Sequence, residues 1–257
     1  MNTRTTALML MAFTFLQVLY AQNQGIALYD VTRKMEAPDA SDEEKQRFAS
    51  LMAGMNTAQK RLDFKNGESI FYDITGEKEM SSSDVDATGG ERKMVIKVAK
   101  NEDEYYKNFA ENKYINKRDL FGKKFIINEA IVKYHWKMAN EQQVIAGYTC
   151  MKAIAENDKG EPIVAWYTPS VAIPNGPDEY GGLPGLIVAL DVNNKERYYE
   201  LKSLDLGAEV TIVKPSKGDK VSKKKYDELA EQKRKEMQEM YGGKGNMIMI
   251  KTDRREE

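Results

Sequence analysis

Alternating apolar and polar positions run through most of the chain and predict a fold built mainly of β-strands. The Asn66-Gly67 pair interrupts one alternating segment and predicts a tight hairpin turn, after which Ile70, Tyr72 and Ile74 share one face. Most connections are too short for crossover helices, apart from residues 169–185, so the pattern predicts an antiparallel meander. Strands are predicted at residues 26–33, 60–74, 94–98, 132–138, 144–153, 163–168, 186–192, 197–201 and 208–213.

Other stretches have a weaker or a helical period. Residues 80–90 predict a polar loop, and residues 102–120 predict either a short helix or an aromatic-rich loop. Ser41 and Glu44 have capping-box spacing ahead of apolar residues at helical intervals, which predicts an N-terminal helix within residues 41–55. Residues 217–240 are highly charged and predict a second helix. We interpret residues 217–257 as a charged helical arm and tail outside a mainly β (α+β) domain of residues 22–216.

The first 21 residues have the features of a cleaved export signal. Arg4 supplies a positive charge, residues 7–19 form an apolar core, and Ala21 is a small residue at the predicted cleavage site. An apolar core of about 13 residues is shorter than the roughly 20 that cross a bilayer as a helix. We therefore expect a periplasmic or secreted protein, without a transmembrane span in the mature chain.

Composition limits the classes of partner and of chemistry. The 257 residues include 39 Lys and Arg against 40 Asp and Glu, a net charge of −1, so no overall charge favours nucleic acid. The single cysteine, Cys150, excludes an internal disulfide, and stability must come from the core. His135 could activate the Cys150 thiol, but Cys150 shares the apolar parity of its strand, which favours a buried structural cysteine. Common hydrolase, nucleotide and redox motifs are absent, so we expect no enzymatic activity and no cofactor.

Two further patterns resemble metal sites but have simpler explanations. Asp84, Asp86 and Gly89 match the start of a calcium loop, but Val95 stands where the loop needs a glutamate, so we predict a turn. The tail carries methionines at spacings that Cu(I) could use, although ordinary structural use of methionine is favoured. These tail methionines are Met237, Met240, Met247 and Met249.

The segment over residues 176–190, GPDEYGGLPGLIVAL, combines turn-forming glycine and proline with buried-type residues. Leu183-Pro184-Gly185-Leu186 predicts a type II turn. Its leucines either cap the protein's own core, which is favoured, or form a lid over an apolar cavity. The candidate ligand-binding residues are Trp136, Tyr148, Trp166, Tyr167, Leu183, Pro184, Leu186 and Ile187.

Five separated sequence blocks give the chain a family resemblance. After Trp136 come VIAGYTC at residues 144–150, MKA at residues 151–153, AWYTP at residues 165–169, Gly176-Pro177, and GLPGLI at residues 182–187. In these blocks the chain resembles the GLPGLI family of exported proteins from diderm bacteria, with Gln143 and Tyr180 as departures from the usual residues. The family has no established enzymatic activity and no catalytic residues that the resemblance could extend to this chain. The resemblance implies a strand pattern similar to that of LolA and RseB, in which a curved antiparallel sheet or half-barrel holds a hydrophobic concavity.

These observations lead to two functional hypotheses of different classes. The first is an exported, non-enzymatic envelope protein that binds a lipid, an acyl chain or an apolar peptide. The alternative is a structural or assembly factor that docks an outer-membrane partner through the apolar loop or the charged tail. Copper handling by the tail methionines is a third and weaker hypothesis.

Overall fold

The computed structural model describes residues 23–34, 41, 46, 56–76, 78–85, 91–98 and 101–241. Twelve strands of the described residues form one open mixed sheet, and two more, over residues 78–85 and 91–98, form a separate hairpin. A helix, here called α1, spans Lys223–Tyr241. The strands are β1 Gln24–Arg33, β2 Thr57–Lys65, β3 Glu68–Asp73, β4 Lys78–Val85, β5 Glu91–Val98, β6 Glu104–Asn108, β7 Lys113–Leu120, β8 Lys123–Glu129, β9 Lys137–Ile145, β10 Tyr148–Glu156, β11 Pro162–Thr168, β12 Leu186–Val192, β13 Arg197–Leu206 and β14 Asp219–Val221.

The sheet consists of two meanders joined side by side. Its order is β14-β8-β7-β6-β3-β2-β1-β13-β12-β11-β10-β9, so β1 and β13 pair at the junction of the two halves. All neighbours are antiparallel except β14, which runs parallel to β8. The predicted antiparallel meander is therefore confirmed for both halves and is wrong at the β14 edge. There the chain returns after the long segment that follows β13.

A short connection shows that this sheet cannot be flat. β8 and β9 lie ten strand positions apart, which would separate them by about 48 Å in a flat sheet. Only residues 130–136 connect them, and eight Cα-to-Cα steps between Glu129 and Lys137 reach at most about 29 Å. The sheet must therefore coil so that its two ends approach each other.

Among the described residues, the largest hydrophobic cluster packs inside this coil. It joins residues from strands as far apart as β7, which contributes Tyr114, and β10, which contributes Cys150. The long connection over residues 169–185 adds Val171, Tyr180 and Leu183 to the same core. The inner face of the sheet is therefore covered by a segment of the chain itself.

Several local predictions are confirmed. Asn66 and Gly67 have positive φ angles of 50° and 80°, as the predicted two-residue turn between β2 and β3 requires. The predicted strand over residues 186–192 matches β12. The charged helix is present as α1, and Tyr226 in its first turn packs edge-on against Phe125 of β8 at 5.7 Å. Its start therefore adjoins the sheet.

Other local predictions are wrong. Residues 102–120, predicted as a helix or loop, contain β6 and β7. In β6 the last four residues are all buried, so the strand lacks the alternation that would have indicated it. The predicted loop over residues 80–90 is strand as far as Val85, because β4 pairs with β5 through its backbone. The predicted strands over residues 132–138 and 208–213 are mostly irregular, since residues 130–136 are the connection between the sheet ends and Gly207, with φ of 94°, follows β13.

Several predicted segments lie wholly or partly outside the described residues. The export signal over residues 1–21 lies outside the described residues, as does the N-terminal helix except for Ser41 and Gln46. The tail beyond residue 241 and the Asp86 to Gly89 part of the calcium-like segment also lie outside them. Within the described part of the chain, no helix is long and apolar enough to cross a membrane.

Candidate functional site

The connection over residues 169–185, here called the inner loop, folds as a small hairpin against the core. Asn175 and Gly181 form an antiparallel bridge, and the Gly182 N–H donates to the Pro174 carbonyl at 3.0 Å. The turn between them is closed by Tyr180 N–H, which donates to the Pro177 carbonyl at 2.9 Å. These bonds satisfy backbone groups that would otherwise be buried without partners.

The inner loop is fastened to the first residues of β12. Leu186 N–H donates to Val171 O at 3.0 Å, and Ile187 N–H donates to Asn175 O at 2.9 Å. Gly176 packs so closely that a Cβ atom there would lie 2.7 Å from Cδ1 of Ile187. The position therefore requires glycine for space.

The predicted type II turn at Leu183-Pro184-Gly185-Leu186 is wrong. Gly185 N–H donates to Leu183 O at 2.8 Å, which closes a three-residue γ-turn centred on Pro184. The Leu186 N–H, which would close a type II turn, is taken by Val171 O. A Cβ atom on Gly185 would lie 2.1 Å from Thr168 O. The backbone at Thr168 therefore lies against the turn and, together with Val171, determines its conformation.

The aliphatic candidate residues of the loop belong to the core. Leu183, Leu186 and Ile187 have no solvent exposure, whereas Pro184 is exposed. This agrees with the favoured interpretation, in which the leucines cap the protein's own core. A ligand that contacts all three side chains would have to displace the inner loop, and ligand binding by these residues stays a prediction.

The aromatic candidates lie in different places. Trp136 Nε1 donates to Gly181 O at 2.9 Å, which holds the connection between β8 and β9 against the inner loop. Tyr167 is buried in the core, and Tyr148 is partly buried at its margin. Trp166 alternates with the buried Ala165 and so lies on the other face of β11, where Lys152 Nζ is 5.8 Å from its ring. The eight candidates therefore do not line a single cavity.

Lys107 of β6 is a residue of the site that the sequence analysis missed. Its side chain is buried, and Nζ donates to Asn175 Oδ1 at 3.1 Å, to Gly176 O at 3.0 Å and to Tyr180 O at 2.6 Å. Burial lowers the pKa of Lys107 to about 7. One buried amine thus holds three positions of the inner loop.

Asp178, in the same loop, is the acidic centre of a second buried cluster. Its Oδ2 atom accepts hydrogen bonds from the Tyr199 hydroxyl and from Arg197 Nη1, the latter at 3.3 Å. Its Oδ1 atom lies 3.6 Å from Lys60 Nζ. Burial would raise the pKa of Asp178, but the Lys60 and Arg197 cations and the Tyr199 hydrogen bond hold it below its ordinary value. Burial and the Asp178 charge raise the pKa of the adjacent Glu179.

Strand parity could have indicated both lysines. Lys60 shares the parity of Leu62 and Phe64, and all three are buried. Lys107 shares the parity of the buried Tyr105. A lysine at a core-facing position needs a buried partner. The sequence pattern does not show that the partner is the inner loop.

The thiol hypothesis gains no support from burial, and the copper hypothesis for the tail methionines stays a prediction. Cys150 is buried, as predicted, and burial raises the pKa of its thiol, while His135 is exposed. Within the described part of the chain, no three His, Cys, Asp or Glu residues are grouped so as to hold a metal ion. A separate surface groove of about 360 Å³ is lined by Ile70 and Tyr72 of β3 and by residues 213–217. The buried amines of Lys107 and Lys60 pair with the inner loop itself, an arrangement that holds the loop in place.

Comparisons with known proteins place this geometry in context. Residues 155–189 match the profile of a family described as a protein of unknown function, Porph_ging. No curated protein matches the chain. Two solved structures of PNGF-II, in the P21 and C2 space groups, are similar over 82% of this chain, with TM-scores of 0.53 and 0.50 and sequence identities of 12% and 11%.

The likeness to PNGF-II concerns the fold alone. The matched regions cover 34% and 33% of the PNGF-II chains, so this chain spans about a third of their length. The Porph_ging match begins at the end of β10 and ends within β12. It therefore covers the inner loop together with the strand before it and the start of the strand after it.

Proposed function

We propose that this chain is an exported, non-enzymatic protein of the cell envelope that binds an extended segment of a protein partner along the outer edge of β9. The proposal is a form of the structural or assembly role, in which the partner adds a strand to an open sheet. The observation that carries it is the exposed edge of β9. Within the described residues, β9 pairs with β10 and with no other strand.

The side chains of β9 support contact with a partner. Val144 is 71% exposed and Met138 is 54% exposed, so the edge presents apolar groups beside its open backbone. Edge strands usually avoid such a combination because it favours pairing with another chain. An occupied edge would bury these side chains together with the backbone groups.

The hairpin turn indicates which backbone groups are available. Ala146 and Gly147 have φ angles of 49° and 83°, and Ile145 pairs with Tyr148 across this two-residue turn. In such a hairpin the closing pair exchanges backbone hydrogen bonds, and the direction then alternates along the strand. The N–H groups of Val144 and Gln142 therefore point away from β10, toward a partner strand.

The buried inner loop favours the β9 edge over the loop as the docking surface. Leu183 and Leu186 have no exposure, so a partner cannot contact them while the loop stays in place. The inner loop also fills the interior of the sheet. A lipid could bind there only by displacing the loop, which weighs against the hydrophobic-ligand hypothesis. The GLPGLI resemblance and the predicted signal support export.

A proline at an outward-facing position tests the docking proposal. Gln142→Pro removes the outward N–H without removing a bond to β10, and proline is tolerated at a sheet edge. Gln142→Ala keeps the N–H and is the matched control. A photoreactive amino acid at position 144 should cross-link a partner in cells in the alanine variant. In the proline variant, most of that cross-linked product should be absent. Equal cross-linking in both folded variants would contradict strand addition.

A further inference from the structure

Lys107 and Asn175 place an amine and a carboxamide in contact inside the core. Lys107 Nζ lies 3.1 Å from Asn175 Oδ1. Both side chains are buried, Asn175 completely. An amine held beside an amide carbonyl, with little competing water, is positioned for acyl transfer between the two groups.

The Asn175 carboxamide is polarised as an electrophile. Its Oδ1 atom also accepts a hydrogen bond from the Gly176 backbone N–H at 2.8 Å. That donor would stabilise negative charge developing on the oxygen, as in an oxyanion hole. Among the residues that the structure describes, the buried Asn175 Nδ2 has no hydrogen-bond partner. No protein acceptor therefore holds the NH2 group in place.

The surroundings also supply a nucleophile and a proton carrier. Burial lowers the pKa of Lys107 to about 7, so a large fraction of its amine is neutral near neutral pH. The charge of Glu179 acts on Lys107 within the same cluster. Glu179 is adjacent to Tyr180, whose carbonyl accepts a hydrogen bond from Nζ at 2.6 Å, so the chain brings a carboxyl-bearing residue to the reacting pair. Burial and the Asp178 charge raise the pKa of this carboxyl, which suits a group that accepts and returns a proton.

We propose that Lys107 and Asn175 join in an intramolecular isopeptide bond. In the ammonium form Nζ donates its three hydrogen bonds. After Nζ loses one proton, the neutral amine keeps two N–H groups and gains a lone pair, which attacks Cγ of Asn175 while the carbonyl electron pair moves to Oδ1. Glu179 carries a proton from Nζ to Nδ2, the Cγ–Nδ2 bond breaks as the carbonyl re-forms, and one ammonia molecule leaves. The reaction needs no oxidant or further reactant. The new amide keeps one N–H as a donor.

The nearby Lys60–Asp178 pair does not offer the same chemistry. Although burial opposes ionisation, Lys60 and Arg197 keep the pKa of Asp178 below its ordinary value, so its side chain is a carboxylate. An ionised carboxylate is a poor electrophile because a negatively charged oxygen must leave. The reactive pair is therefore the lysine with the neutral amide.

The bond would act as a covalent staple between β6 and the inner loop. It joins residues 68 positions apart in a chain whose single cysteine cannot form an internal disulfide. A cross-link over such a distance restricts the unfolded chain. It forms without a partner, so it does not depend on the docking function proposed for β9.

Mass spectrometry of the mature protein, without substitutions, tests this inference directly. After purification and denaturation, the protein should be lighter than its processed sequence by one ammonia. Proteolysis should release a branched peptide that contains both Lys107 and Asn175, identified by fragmentation. An unreduced mass, or separate linear peptides for the two residues, overturns the proposal.

One variant excludes the competing reaction, in which the Gly176 nitrogen attacks Asn175 and forms a succinimide with the same loss of ammonia. Lys107→Met removes the amine and should restore the full mass, whereas a succinimide would still form and would overturn the proposal. Glu179→Gln, purified in the same way, should leave most of the protein without the cross-link. Complete cross-linking in Glu179→Gln would overturn the proton-carrying role of Glu179.

Discussion

Lys60 Nζ and Asp178 Oδ1 lie 3.6 Å apart inside the coiled sheet, with both side chains almost completely buried. Neither atom makes a hydrogen bond within the described part of the chain, although Lys60 Nζ lies 5.2 Å from the centre of the Phe71 ring and 5.3 Å from that of Tyr105. The pair links β2 to the inner loop. Two charges so enclosed depend on each other. Removal of Asp178 leaves the Lys60 charge without its carboxylate, and removal of Lys60 leaves Asp178 with Arg197 as the cation in contact with it.

Removing the lysine charge should destabilise the fold strongly. Lys60→Met keeps a similar volume but leaves Asp178 with fewer cations, and we expect a loss of about 3 to 5 kcal/mol in the free energy of unfolding. Urea denaturation followed by circular dichroism measures the change. Lys202→Met is the control, because Lys202 forms a half-exposed pair with Asp30 and should cost less than about 1 kcal/mol. Similar losses for the two variants would show that the Lys60 pair is not critical.

The same cluster should make stability sensitive to acid. Because the pKa of Asp178 is lower in the folded chain than in the unfolded chain, its stabilisation is complete above the unfolded value. It is lost as the pH falls from about 4 through the lower folded value. We expect the free energy of unfolding to fall less steeply below about pH 4 in Asp178→Asn than in the unmodified chain. Parallel pH profiles from urea denaturation would contradict this assignment.

Gly176 should be intolerant of even one added carbon. In Gly176→Ala the new Cβ would lie 2.7 Å from Ile187 Cδ1 and 2.9 Å from Ile187 Cβ, so the inner loop must shift. We expect overpacking to cost about 1 to 3 kcal/mol, measured by thermal and urea unfolding. Gly76→Ala is the matched control, because a Cβ there meets no atom within 4 Å. A neutral effect at position 176 would mean that the loop adjusts without cost.

Loss of the Trp136 indole N–H should loosen the inner loop. Trp136→Phe keeps an aromatic ring but removes the donor to Gly181 O, and we expect a cost of about 1 to 3 kcal/mol. Cleavage within residues 169–185 during limited proteolysis should also become faster. Trp166→Phe, on the other face of β11, is the control and should leave that cleavage rate unchanged. An equal rate in both variants would argue against the Trp136 contact as a fastener.

Local sequence patterns predicted much of the strand content but less of the candidate site. The Asn66-Gly67 turn was predictable because two adjacent residues supply the positive φ angles that it needs. The turn at Leu183 to Leu186 was not, because its outcome depends on Val171, which takes the Leu186 N–H. Alternation failed in β6, where Tyr106, Lys107 and Asn108 are all buried and both faces are covered.

By itself, the sequence determined the mainly β character, the early hairpin, the charged helix and the apolar character of the inner loop. These features depend on residue periodicity and on backbone preferences that act over a few positions. The tertiary structure decided that the loop fills the coiled sheet and that Lys60 and Lys107 hold it. Lys107 and Asn175 are 68 positions apart, and only the pairing of strands brings them together. Burial turns these distant residues into partners, because a charge removed from water requires the group that the fold places beside it.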